Sequence, residues 1–248
     1  MISRHARRRF VNGVFVVACG VATLIALTAL LLILWSLVTQ GIGGLDLKVF
    51  TMTQPAPGSE GGLANAIVGS LLMCAGGMLI ALAVGILAGT WLAEYGGNKP
   101  YAQTVRFLND VLLSAPSVLV GLFVYEILVA PFHGFSGIAG AVALAILAAP
   151  IVTRTTEDIL TLQPSTLREA GMALGASRAF VIRTIIWKAA RAGILTGGLL
   201  AFARISGETA PLLFTSLGNQ FQSFDMTQPM AALPTTIFQF SLSAYDDW

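Results

Sequence analysis

An all-α, polytopic membrane bundle is the fold class this sequence predicts, on three observations. Hydrophobic residues fill 56% of the 248 positions and charged residues only 10%, where a soluble domain carries about 25% charged residues. Apolar stretches of about the 20 residues that a spanning helix needs occur at 11–38, 63–92, 107–130, 136–153 and 192–217. If these five spans alternate in direction, twelve of the fourteen lysines and arginines fall on one side. That is the asymmetry of a membrane protein with its basic loops in the cytoplasm.

The first span follows Arg4, Arg7, Arg8 and Arg9, which places the N-terminus (1–10) in the cytoplasm. Its apolar run is far longer than the roughly 7–15 residues of a signal-peptide core and no clear A-x-A site follows, so a retained helix is expected. Residues 39–62, with Gln54-Pro55-Ala56-Pro57-Gly58-Ser59, read as an exposed loop. In the second span Gly77, Ala81, Gly85 and Gly89 draw a stripe of small side chains down one helical face. Such a stripe lets backbones approach closely in lipid; helix packing is the simpler reading and a pathway lining the alternative.

Lys99 and Arg106 lie between the second and third spans. Pro116, between Ser114 and Ser117, predicts a kink in the third. Asp110 and Glu126 flank that span, either as boundary residues or as participants in transport. A tight connection at 131–136 leads to the short fourth span.

The longest inside segment, 154–191, carries Arg154, Arg168, Arg178, Arg183, Lys188 and Arg191 and reads as two short helices. Thr166-Leu167-Arg168-Glu169 forms a capping box after Pro164, and Gly175 is a natural stop. A second start follows at Ser177, from which a helix can run into the fifth span. A helix-turn-helix projecting from a membrane bundle is either a docking element for a soluble partner or an amphipathic helix lying on the membrane.

In the fifth span Gly197, Ala201, Arg204 and Glu208 lie within about 40° of one another. A charge near a bilayer centre costs about 2.5–3.5 kcal/mol on insertion scales, so it faces a partner or a cavity. The four-residue spacing lets Arg204 and Glu208 pair, and a purely structural pair is one reading. The other is an anion path, because arginine's planar fork suits an oxyanion and Thr209 adds a hydroxyl. Pro211 gives no backbone donor and frees the Gly207 carbonyl, so Gly207 and Pro211 mark a helix break. The segment 218–248 has three aspartates and no lysine or arginine and is expected on the outer side, opposite the basic loops.

No phosphate-binding loop, zinc-protease helix motif or nucleophile elbow occurs in the sequence. No catalytic residue, ATPase site or bound cofactor is therefore expected on this chain. Cys19 and Cys74 sit in separate apolar runs and read as small apolar residues. His5 and His133 are isolated, so no metal site is expected.

Glu169-Ala170-Gly171, with Gly175 four residues on and Ile185 ten further, resembles the E-A-A-x3-G-x9-I-x-L-P loop of ABC importer permeases. The chain departs from that pattern at Gly171 and at Trp187-Lys188. The resemblance implies a transmembrane permease domain over 11–217 whose Glu169, Ala170, Gly171 and Gly175 form a coupling helix seated on an ATP-binding subunit. The run from Gly207 through Thr215 is similar to the permeases of phosphate importers, as are 60–70, 92–96 and 115–123. That implies a homologous permease partner (PstC), two ATPase subunits (PstB) holding ATP and magnesium, and a periplasmic phosphate-binding protein (PstS). It also implies a sixth span, which is missing here, so a truncated gene product is expected. Arg204, Glu208 and Thr209 become the expected substrate path. The alternatives are a permease for molybdate, sulfate or phosphonate, an ion-driven phosphate carrier, and a non-transporting scaffold for phosphate signalling.

Overall fold

The computed structural model describes residues 4–55 and 59–243, and among them every regular element is helical. Contacts divide the chain into two units, one ending at Leu47 and one beginning at Lys48.

The first unit is α1 (Arg4–Gly41), closed by a single turn at Ile42–Gly44. Its apolar residues occupy every side of the helix, as in a lipid-embedded span. Its hydroxyls bond back into the helix: Thr23, Thr28 and Thr39 donate to the carbonyls of Cys19, Leu24 and Trp35 at 2.9, 2.8 and 2.8 Å. A polar group without water thereby keeps a partner.

The second unit is built around α3 (Ala64–Trp91), α6 (Gly137–Thr161) and α9 (Trp187–Ser206). The small stripe of α3 lies on α6. A Cβ at Gly77 would stand 2.9 Å from the Ala141 carbonyl, one at Gly85 2.6 Å from Val152 Cβ, and one at Gly89 2.5 Å from the Thr153 carbonyl. Packing, not a pathway, is what those residues do. Met73, Met78, Leu144, Val152, Ala201 and Ile205 fill the three-helix core.

Among the described residues four helices are long and apolar enough to cross a membrane, and a fifth crossing is present if a bent pair counts as one. That pair is α4 (Pro100–Ser114) and α5 (Ser117–Val124), the latter continuing as a π-turn to Val129. The expected kink is a 103° break. Ala115 and Pro116 both take extended ψ angles, 136° and 130°, as proline demands of the residue before it.

The other spans are longer or displaced. α6 runs eight residues past the expected end at 153, because Arg154 pairs with Asp158 at 3.4 Å and Glu157 with Arg106 at 2.6 Å. The expected span 192–217 is instead a continuous Arg178–Ser206 helix, made of α8 (Arg178–Val181), a π-turn at Ile182–Ile186 and α9. It ends at Gly207, and a separate α10 (Ala210–Thr215) follows. The segment 39–62 is not all loop, since α2 (Leu47–Thr51) forms there and the Met52 carbonyl accepts from Ala64 N–H at 3.0 Å. Ala56, Pro57 and Gly58 of its proline-rich run lie outside the described residues, as do Asp246, Asp247 and Trp248.

The segment after α10 is folded into the bundle. Met230, Ala231 and Ala232 are buried, and a Cβ at Gly69 would be 2.1 Å from the Ala231 carbonyl. The carbonyls of Met226 and Gln228 accept from Ile138 and Gly137 N–H at 2.9 and 3.0 Å, satisfying donors that a helix start leaves open. Ser136 caps the same helix through Ala139 N–H. α11 (Leu233–Ser241) closes the described chain.

Candidate translocation and coupling sites

Arg204 stands in the last turn of α9, where a cation complements the negative end of the helix dipole. It lies about 40 Å along the Arg178–Ser206 helix from Arg178, at about 1.5 Å per residue. Arg204 Nη1 donates to Glu208 Oε1, an ion pair reaching from the helix end across the break. The two partners differ in setting: the Arg204 side chain is 57% exposed and that of Glu208 8%. Gly197, Gly198, Ala201 and Ile205 form the buried face of α9, so Arg204 stands beside that face rather than on it.

The break itself is compact. The Thr209 carbonyl accepts from Leu212 and Leu213 N–H at 3.2 and 3.3 Å, and Pro211 occupies the first turn of α10, where its missing donor has no helical partner to serve. Pro211 is buried against α5, since a Cβ at Gly121 would be 2.7 Å from Pro211 Cα. The outcome is a fixed, buried carboxylate holding a guanidinium at an open surface. Such a group can exchange its carboxylate partner for another oxyanion without losing the break that positions it. Asp110 and Glu126 are both exposed on the α4–α5 pair and do not join this cluster.

The residues expected to form a coupling loop lie at the other end of Arg178–Ser206. α7 (Ser165–Ala173) begins one residue before the expected capping box, with Pro164 at its N-cap and no side-chain cap. Gly175 stops it in the left-handed region at φ +82°, which favours glycine. Ser177 accepts from Phe180 N–H at 3.4 Å and starts the next helix. Glu169 and Ala170 face outward, and Leu174 is 89% exposed. Gly171 is buried, and a Cβ there would be 2.8 Å from Val181 Cγ2 and 3.0 Å from Ile185 Cδ1. That close approach explains why glycine stands where the loop pattern has its second alanine. At Trp187-Lys188 the helix continues unbroken, and the Trp187 indole N–H donates to Thr90 Oγ1 at 3.2 Å.

Two residues without an expected role hold this hairpin in place. Glu94, in the π-turn Leu92–Gly96 that ends α3, is buried against Arg168 at 2.6 Å. Arg178 donates to the Glu94 carbonyl and lies over the Tyr95 ring at 4.6 Å. The sequence carried a signal for this, since an acid at the C-terminal end of a helix opposes the dipole and needs a cation nearby.

Residues 81–244 match the family of binding-protein-dependent transport system inner membrane components. The chain is 54% identical over 228 residues to the phosphate transport system permease protein PstA of Haemophilus influenzae, covering 92% of this chain and 81% of that one. It is 52% identical to PstA of Pasteurella multocida, covering 97% and 86%. It is 37% identical to the probable PstA of Methanocaldococcus jannaschii, covering 96% and 84%. Among solved structures, a chain of the inward-facing MetNI methionine ABC transporter superposes with a TM-score of 0.61 at 18% identity, over 74% of this chain and 83% of that one.

Proposed function

This chain belongs to the binding-protein-dependent transport inner membrane components and, within them, to the PstA permeases, and we propose that it forms part of the path by which inorganic phosphate crosses the inner membrane. It is a permease subunit of a phosphate ABC transporter. The single observation that carries the substrate is the 54% identity with a protein named for phosphate transport over 92% of this chain. That name favours phosphate over molybdate, sulfate or phosphonate.

In this reading Arg204, relayed by Glu208 and with Thr209 beside it, meets the anion, while Gly207 and Pro211 keep the helix broken there. Weak, exchangeable binding suits a path, because an anion held tightly would not leave. ATP and magnesium are held by two copies of a separate ATPase subunit, PstB, which dock on Glu169, Ala170, Gly171 and Gly175. The exposed Leu174 beside those residues supports this, since a nearly bare leucine at a loop tip gains by burial in a partner. A homologous permease, PstC, completes the path, and PstS delivers phosphate from the periplasm. The N-terminus and the 154–191 segment lie in the cytoplasm and 218–248 in the periplasm, a placement supported by the basic residues clustered in those inside segments.

The test is phosphate uptake by vesicles holding this chain with its permease, ATPase and binding-protein partners. Uptake that needs ATP and is not displaced by molybdate, sulfate or a phosphonate supports the reading. Uptake of one of those anions in preference to phosphate, or none with a fully assembled complex, refutes it.

A further inference from the structure

Arg168 uses its whole guanidinium to hold α7 to two other helices. Its Nε lies 3.0 and 3.1 Å from the two Glu94 carboxylate oxygens and its Nη2 2.6 Å from Oε1. The same group donates to the carbonyls of Leu160, in the last turn of α6, and Gln163, just beyond it, at 2.8 and 2.9 Å. The carboxylate of Glu94 is only 2% exposed, so water competes little for it. From the other leg of the hairpin, Arg178 grips the same π-turn through the Glu94 carbonyl and the Tyr95 ring. The end of α3 is thus held from both sides of Gly175.

This arrangement is more than the hairpin needs in order to fold. Leu160, Val181, Ile186 and Ala190 already form an apolar core under it, and a buried ion pair is a poor source of net stability because its desolvation offsets much of its attraction. What a bidentate, buried pair does supply is a fixed direction and distance between α7 and α3. A push on the exposed rim at Glu169 and Leu174 would otherwise be taken up by the turn at Gly175.

We propose that the Glu94–Arg168 pair is the joint through which movement of the α7 hairpin reaches the α3 span, with both residues acting as positioning residues that touch neither phosphate nor ATP. The inference rests on reading α7 as the face that docks the ATPase subunit. It is tested in vesicles holding the complete importer by measuring ATP hydrolysed per phosphate taken up, with assembly checked by copurification. Glu94→Gln and Arg168→Gln are each expected to leave the complex assembled and hydrolysing ATP while raising that ratio about tenfold. The double variant is expected to be no worse than the worse single, because both singles remove one joint.

A wild-type ratio in both singles overturns the proposal, as does a double variant in which the two effects multiply. Uptake and hydrolysis falling in parallel also overturns it. So does loss of assembly in both Glu94→Gln and the milder Arg168→Lys, which would make the pair an assembly contact. ATP-independent behaviour of the wild-type complex would instead remove the parent reading of α7, and is seen before any variant is compared.

Discussion

Arg106 and Glu157 meet at 2.6 Å between α4 and α6, with the Glu157 side chain 10% and the Arg106 side chain 25% exposed. The same guanidinium donates to the Gly97 carbonyl at 2.8 Å and reaches the Leu92 carbonyl at 3.4 Å. One arginine therefore neutralises an acid on α6 and closes the end of α3. Removing it leaves a buried carboxylate without a cation, which costs about 3–5 kcal/mol in comparable cases. Arg106→Ala is expected to lower the free energy of chemical unfolding of the purified complex by that order, and with it the unfolding midpoint, and Arg106→Lys by less. A midpoint equal to wild type for Arg106→Ala would show the pair to be dispensable.

The α3–α6 contact predicts a graded glycine series. Gly89→Ala would set a Cβ 2.5 Å from the Thr153 carbonyl and Gly69→Ala one 2.1 Å from the Ala231 carbonyl. Backbone cannot swing aside as a flexible side chain does, so overpacking of about 1–3 kcal/mol is expected at each. At Gly134 the nearest atom would be 3.8 Å away, and Gly134→Ala is expected to be near neutral. Thermal unfolding of the three variants side by side decides the matter, and equal stabilities would contradict the packing described.

Gly171 yields a prediction with a built-in rescue. Its Cβ would press on Val181 Cγ2 and Ile185 Cδ1 at 2.8 and 3.0 Å, so Gly171→Ala is expected to spread α7 from α8 and weaken copurification of the ATPase subunit. Val181→Ala removes the nearer methyl and is expected to restore it. A Gly171→Ala subunit that binds its ATPase normally would deny the close approach any role in docking.

Asp225 sets a small pH dependence in the segment that follows α10. Hydrogen bonds from the Thr227 hydroxyl and then its N–H, at 2.7 and 2.9 Å, hold its carboxyl below the usual carboxylate range. A lowered folded value means the contribution is complete above the unfolded aspartate's range and is lost as pH falls through the folded one. Asp225→Asn is thus expected to narrow the stability difference between neutral and acid pH, read by thermal unfolding at both. An unchanged difference would mean the turn forms equally well without the charge.

The apolar spans were legible because lipid requires long runs of one kind of residue, and the stripe at Gly77, Ala81, Gly85 and Gly89 because its period is helical. What stayed hidden depended on partners far along the chain. α6 reads as ending at 153 because Arg154 and Glu157 interrupt the apolar run, yet Glu157 is matched by Arg106, 51 positions away. Met230 and its neighbours look like loop until Gly69, far earlier in the chain, makes room for the Ala231 carbonyl. The Arg204–Glu208 pairing could be read because it is local, four residues apart. Their unequal exposure could not, since it follows from where α9 stops and how α10 packs on Gly121.

The most direct measurement is ATP-dependent phosphate uptake by the assembled importer carrying Arg204→Gln, beside its ATP hydrolysis. The anion-path reading predicts that uptake falls by about a hundredfold or more, as when a charge-assisted contact at a pathway is lost, while assembly and the ATPase subunit's own hydrolysis persist. Uptake at the wild-type rate would reduce Arg204 and Glu208 to a structural pair and place the phosphate path elsewhere.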